Sequence, residues 1–169
     1  MISPRSLVKT ANLELVPKSR DDVQAMIDGM DANEKAQLSA DWLARFYVST
    51  TPDPWVHGFS AKHLQSGVII GTGMFKAPPV DGVVEIAYGI AADHRGKGYA
   101  TEIAGALVGF AFSFEEITVV RAHTLPDSSA SQRILANCGF EHVGEINDPE
   151  DGLVWRFEMR KQNQARRGP

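Results

Sequence analysis

The stretch "ADHRGKGYAT", residues 92–101, sets Gly96 and Gly98 among Arg95 and Lys97 and runs on into residues that read as the first turn of a helix. Glycine lacks a Cβ, so a ligand can approach the backbone closely, and the first amides of a helix have no partner within it. The helix dipole adds partial positive charge at that end, so the loop reads as a cradle for an anion, phosphate above all. A magnesium-nucleotide loop of the form GxxxxGK[ST] is excluded: Ala91 stands where its first glycine belongs, and Gly98 follows Lys97 where a hydroxyl is needed. A dinucleotide fingerprint GxGxxG fits poorly, because "GKGYAT" has Thr101 in place of the third glycine and "GTGMFK" has Lys76 there inside a strand pattern. The spacing that is met is RxxGxA, by Arg95, Gly98 and Ala100.

The elements that must position this loop follow from periodicity. "NLELVP" (12–17) alternates as a strand, Ser19 is placed to cap a helix reaching Met30, and a second helix is expected over 32–48, broken by "TTPDP". From Trp55 the pattern is of strands: 55–62, 68–76 after a turn near "HLQSG", and 83–91 after "APPVDG". The period changes at Gly98, where Ile103, Leu107, Phe110, Ala111 and Phe114 form one helical stripe. A strand over 117–125, a helix "SSASQRILANCGF" ending at Gly139, and strands 140–146 and 153–160 joined through "NDPEDG" complete the order.

Composition narrows the partners. A net charge of -4 and an isoelectric point near 5.7 argue against charge-driven binding to nucleic acid or to acidic membranes. The single cysteine, Cys138, the lack of an apolar leader in "MISPRSLVK" and the short apolar runs lead to the expectation of a cytoplasmic protein. The 169 residues are expected to form one domain over 1–169, ordered from about 10 to 160, with a flexible tail 161–169. The five histidines show no metal-ligand spacing, so no metal is expected.

"YGIAADHRGKGYATE" resembles the acyl-coenzyme A pyrophosphate loop of the GNAT N-acetyltransferases, particularly the branch of the ribosomal-protein N-terminal (Rim-type) acetyltransferases. "SASQRILANCGF" is similar to that branch's second signature, a helix ending in Gly-Phe, and the element order agrees over about 10–160. The resemblance implies an α/β fold: a mixed, mostly antiparallel sheet of about six or seven strands, helices on both faces and a splayed central parallel pair formed by 83–91 and 117–124. It implies transfer of an acetyl group from acetyl-CoA to a primary amine, on a protein N-terminus or a small molecule, by direct attack in a ternary complex. The alternative is a noncatalytic acyl-CoA binding or sensing module on the same fold. The partners expected are the amine acceptor and no nucleic acid or membrane, with a homodimer left open.

By the same resemblance, Arg95, Gly96, Lys97, Gly98, Tyr99, Ala100 and Thr101 would hold the pyrophosphate, Ile90, Ala91 and Ala92 the pantetheine arm, and Ser128 and Ser131 further cofactor contacts. Ser128 stands where many members carry asparagine, and Leu135 where many carry the tyrosine that protonates the departing thiolate. The attacking amine must lose a proton, and members often place a carboxylate at the strand position of Glu85. Strand alternation sets Glu85 on one face with Val83, Ala87 and Gly89, which makes it the candidate catalytic base, its pKa expected to be raised by partial burial. Trp55, in a loop after "PDP", and Tyr88, a packing residue of the opposite face, are the candidate substrate-binding aromatics. Trp42 and Phe46, at helical spacing, read as core.

Overall fold

The computed structural model describes residues 8–49 and 53–162. The start of the chain through Leu7, part of "TTPDP" and the tail from Asn163 lie outside the described residues; Lys161, the first residue of the expected tail, is anchored by its Nζ to the Phe114 carbonyl at 3.1 Å.

Among the described residues, eight strands form one sheet in the order β1-β2-β3-β4-β5-β6-β8-β7. They are β1 (Val8–Lys9), β2 (Leu13–Pro17), β3 (Phe59–His63), β4 (Ile69–Phe75), β5 (Val83–Ile90), β6 (Val119–Thr124), β7 (Glu141–Asp148) and β8 (Gly152–Arg160). The count exceeds the expected one because the two residues of β1, too short to show alternation, pair with Leu15 and Glu14. Every pairing is antiparallel except β5 with β6. That parallel pair has only three rungs, Val83 with Val119, Val84 with Val120 and Glu85 with Arg121, whereas β5 stays paired to β4 as far as Ile90. The strands therefore part after Glu85, as the resemblance implied.

Among the described residues, six α-helices accompany the sheet: α1 (Arg20–Asp28), α2 (Ala32–Ala36), α3 (Ala40–Val48), α4 (Pro54–His57), α5 (Tyr99–Phe112) and α6 (Ser129–Asn137). Ser19 caps α1 in a reciprocal capping box with Asp22, as its type and spacing predict. The helix expected over 32–48 is two helices, because Ser39 accepts the Trp42 amide and starts a new one. The strand expected from Trp55 begins only at Phe59. Asp53 caps the Trp55 amide and Pro54 opens a helical turn, which Gly58 ends at φ 69°.

Two apolar clusters hold the layers. The larger buries Ile103, Leu107, Phe110 and Ala111 of α5 against Leu15, Phe59, Phe75 and Ile86 of the sheet. The smaller joins α1, α3 and α4 through Val23, Ile27, Trp42, Phe46 and Val56, with Trp42 Nε1 donating to the Val56 carbonyl at 2.8 Å, so Trp42 and Phe46 are core. Contact between α5 and β4 requires glycine at position 73, where a Cβ would stand 2.9 Å from Ile103 Cγ2. Gly73→Ala is expected to cost about 1–3 kcal/mol through overpacking, read as a lower denaturant midpoint at unchanged m-value.

Candidate active site

The loop leaving β5 turns once through a short 3-10 segment, Ala92–His94, and enters α5 through two glycines in the left-handed region, Gly96 at φ 78° and Gly98 at φ 83°. A Cβ at either would meet nothing within 4 Å, so here glycine serves backbone conformation and open access rather than packing. Gly98 caps α5 with no side chain across its end, and the first bond of the helix runs from the Glu102 amide to the Gly98 carbonyl at 3.2 Å. The amides of residues 99–101 thus precede the ladder and are left for a ligand.

These amides border a cavity of about 470 Å³. Of the residues predicted to hold the cofactor, Ile90, Arg95, Gly96, Gly98, Tyr99, Ala100, Thr101 and Ser131 line it. Ala91, Ala92, Lys97 and Ser128 do not: the Ala91 amide is tied to the Ile70 carbonyl of β4 at 2.8 Å, and Ser128 reaches the cavity only through its Oγ bond to Ser131 Oγ at 3.2 Å. Arg95 is partly committed, its Nε donating to the Ile90 carbonyl at 3.1 Å. The cavity also takes in His94, beside the cradle, and Gly89, Ala130, Arg133 and Ile134, which were not among the predicted site residues. Ala130, Arg133 and Ile134 recur at i, i+3 and i+4 on α6, the spacing of one helical face. No acidic residue is among its described lining, so it is a cationic recess in a chain of net charge -4.

Glu102 fixes how this helix end is presented. Its carboxylate accepts from Thr10 Oγ1 at 2.6 Å and from the Asn12 amide and Nδ2, both at 2.9 Å. An acidic group in the first turn of a helix also favours the dipole there.

On the opposite face of β5, Glu85 Oε2 is shared between His123 Nδ1 at 3.0 Å and Lys76 Nζ at 3.1 Å. His123 Nε2 in turn accepts from Arg156 Nε at 3.0 Å, and beside them Arg121 pairs with Glu158 at 2.7 Å. The expectation of a raised Glu85 pKa is overturned. Burial alone would lift it, but the His123 hydrogen bond and the Lys76 charge outweigh burial and hold the carboxyl below the ordinary range. His123 lies on β6 and Lys76 just past the end of β4, so the local sequence around Glu85 gave no sign of them.

Tyr88 lies in the cavity wall between the strand face and α6, away from Glu85; burial first, then the nearby Cys138, push its phenol up to about 12. Trp55 is not brought to either place. It packs on Phe75, Phe110 and Phe114, with ring centroids 4.6, 5.6 and 5.3 Å away, so its aromatic ring has a packing partner on each side. A second cavity of about 520 Å³, lined by Phe112, Val143 and Met159 among others, includes no helix N-terminus. Among the described residues no group of three or more His, Cys, Asp or Glu is placed to share a metal ion, and no helix is long and apolar enough to cross a membrane.

The profile of the acetyltransferase (GNAT) domain matches residues 9–141, and the chain belongs to that family. The uncharacterized N-acetyltransferase YjdG of Bacillus subtilis is 34% identical over 73 residues, which is 43% of this chain and 44% of that protein. The chain thus matches under half the length of this curated relative. A putative ribosomal-protein-serine acetyltransferase of Vibrio cholerae superposes with TM-score 0.67 at 19% identity, over 95% of this chain and 100% of that one. The aminoglycoside acetyltransferase AAC(6')-Ib in complex with coenzyme A and kanamycin gives TM-score 0.64 at 22% identity, over 91% and 98%. At these identities the likeness is one of fold.

The low Glu85 pKa has a consequence for stability. A carboxyl held below its unfolded value stabilises the fold above that value, about 4.3, and loses the contribution as pH falls through the folded pKa. Glu85→Gln is expected to cost about 1 kcal/mol near neutral pH, and the gap to wild type in urea melts is expected to close on acidification below the ordinary carboxylate range.

Proposed function

We propose that the chain transfers an acetyl group from acetyl-CoA to a primary amine, of a protein N-terminus or a small molecule, by direct attack in a ternary complex. The observation that carries this reading is the parting of β5 and β6 directly beside an uncapped helix end, inside the GNAT family. Acetyl-CoA supplies the activated acyl group as a thioester.

The amides of Gly96 to Thr101, with Arg95, Arg133 and Ser131, hold the pyrophosphate; their fit to such an anion rests on the open glycine positions and the cationic lining. The pantetheine arm follows the β5 edge. Glu85 gives its carbonyl to the Lys76 amide on the β4 side, so strand alternation turns the backbone groups of Tyr88 and Ile90 toward the gap left by β6. An extended amide chain can pair with that edge, and an N–H there can meet charge developing on a thioester oxygen. On the far side, Glu85 offers a carboxylate, paired with His123, to the loss of the ammonium proton. The structural relatives, a putative ribosomal-protein-serine acetyltransferase and an aminoglycoside acetyltransferase bound to kanamycin, support both acceptor classes.

Coenzyme A release measured across a panel of peptides with free N-termini, amino acids, polyamines and aminoglycosides tests the reading, and turnover with at least one amine is expected. Thermal stabilisation by coenzyme A with no turnover would favour a sensing module. Gly98→Val, which forces a β-branched residue to positive φ, is expected to weaken coenzyme A binding by roughly tenfold or more in calorimetry.

A further inference from the structure

The contacts around His123 fix its proton. An arginine side chain has only donors, so the 3.0 Å approach of Arg156 Nε makes His123 Nε2 the lone-pair nitrogen. The ring proton is then on Nδ1, 3.0 Å from Glu85 Oε2. This is a neutral imidazole, oriented by a carboxylate, with its basic nitrogen facing a cationic N–H donor.

Its place in the fold is as specific. His123 lies two residues beyond Arg121, the last β6 residue paired to β5, and shares the face of Glu85; its side chain retains 12% exposure. It therefore stands on the β6 lip of the gap whose β5 lip carries the backbone edge of Tyr88 and Ile90. Glu85 suits the role of holder better than that of base. Its Oε2 lies within ion-pair distance of both His123 Nδ1 and Lys76 Nζ, and the carboxyl stays ionised, which suits it to face an imidazole and stabilise it once charged. The charged groups facing this ring are Glu85 of β5, Lys76 beyond β4, Arg121 of β6, Arg156 and Glu158 of β8 and Asp148 of β7; Glu158 offsets Arg121, and Glu85 offsets Lys76.

We propose that His123 Nε2 takes the proton from the acceptor ammonium, that Glu85 is its positioning residue, and that the Arg156 Nε–H occupies the place the ammonium N–H takes when the acceptor binds. This deepens the acetyl-transfer reading and rests on it. One ammonium N–H bond breaks and the Nε2–H bond forms, moving the positive charge onto the imidazole beside Glu85. The freed nitrogen pair bonds to the acetyl carbon as the carbon–sulfur bond breaks and the pair of that bond leaves on sulfur. The nitrogen sheds its remaining extra proton, the sulfur takes one up, and the imidazolium returns its own to water.

The test uses the full chain with an amine that the wild type acetylates, following coenzyme A release across about pH 6 to 9 for wild type, His123→Gln, His123→Ala and Glu85→Gln. For His123→Gln we expect kcat/KM to fall by about 10²–10³, with the acidic limb replaced by the acceptor's own ionisation. Added imidazole should restore part of the His123→Ala rate, and the thermal shift on binding coenzyme A should stay that of wild type in both His123 variants. Glu85→Gln should be slower yet keep a limb. If His123→Gln keeps the limb and a rate within about threefold, or if only Glu85→Gln removes the limb, the proposal is overturned and Glu85 is the direct base. Absence of turnover by wild type with every amine would overturn the underlying reading as well, an outcome distinct from turnover that survives loss of His123.

Discussion

The site depends on where two parallel strands stop pairing. After the rung of Glu85 with Arg121, β5 keeps its antiparallel partner β4 to Ile90 while β6 pairs on with β8. A strand that loses one neighbour inside a sheet exposes backbone donors and acceptors that must find other partners. Here one of them, the Ile90 carbonyl, is taken by Arg95 from the cradle loop, which couples the edge to the loop that follows it.

The two sides of the gap carry different groups. On the α5 side, an uncapped helix end, Arg95 and Arg133 make a recess for an anion, and Glu102 bonded to Thr10 and Asn12 anchors the helix that presents it. On the other side, Glu85 ties together side chains that start from four different strands or their ends: Lys76, Glu85 itself, His123 and, through His123, Arg156. In the proposed transfer, the sheet would set the anion-holding recess on one side of the gap and the group that takes the proton on the other. Gly73, which lets α5 settle on β4, belongs to the same arrangement because it sets the depth of the helix over the sheet.

Much of the cradle was legible in the chain because it is local: Gly96, Gly98, Arg95 and the change of period at Gly98 lie within a few residues of one another. The face that carries Glu85 was legible for the same reason, since strand alternation is a property of neighbours. His123 was not, because its contact with Glu85 exists only through the parallel register of strands separated by a whole helix. The direction of the Glu85 pKa failed on this account: burial can be guessed from a strand position, but the groups that outweigh it, His123 of β6 and Lys76 past the end of β4, lie outside β5. Trp55 read as a loop aromatic because the cap formed by Asp53 and Pro54 sits at a chain stretch that looks like a simple break. Arg133 and Ile134 share a helical face with Ala130, at i+3 and i+4 from it.

The central claim is that the parted strand edge and the open helix end together hold the acyl-CoA. Backbone amide resonances followed by NMR during a titration with acetyl-CoA test it most directly. The account predicts that the largest shifts fall on Gly96 to Thr101 and, across the turn, on Tyr88 and Ile90. Shifts confined to the cavity beside Phe112 and Met159, with the loop and the β5 edge unmoved, would contradict it.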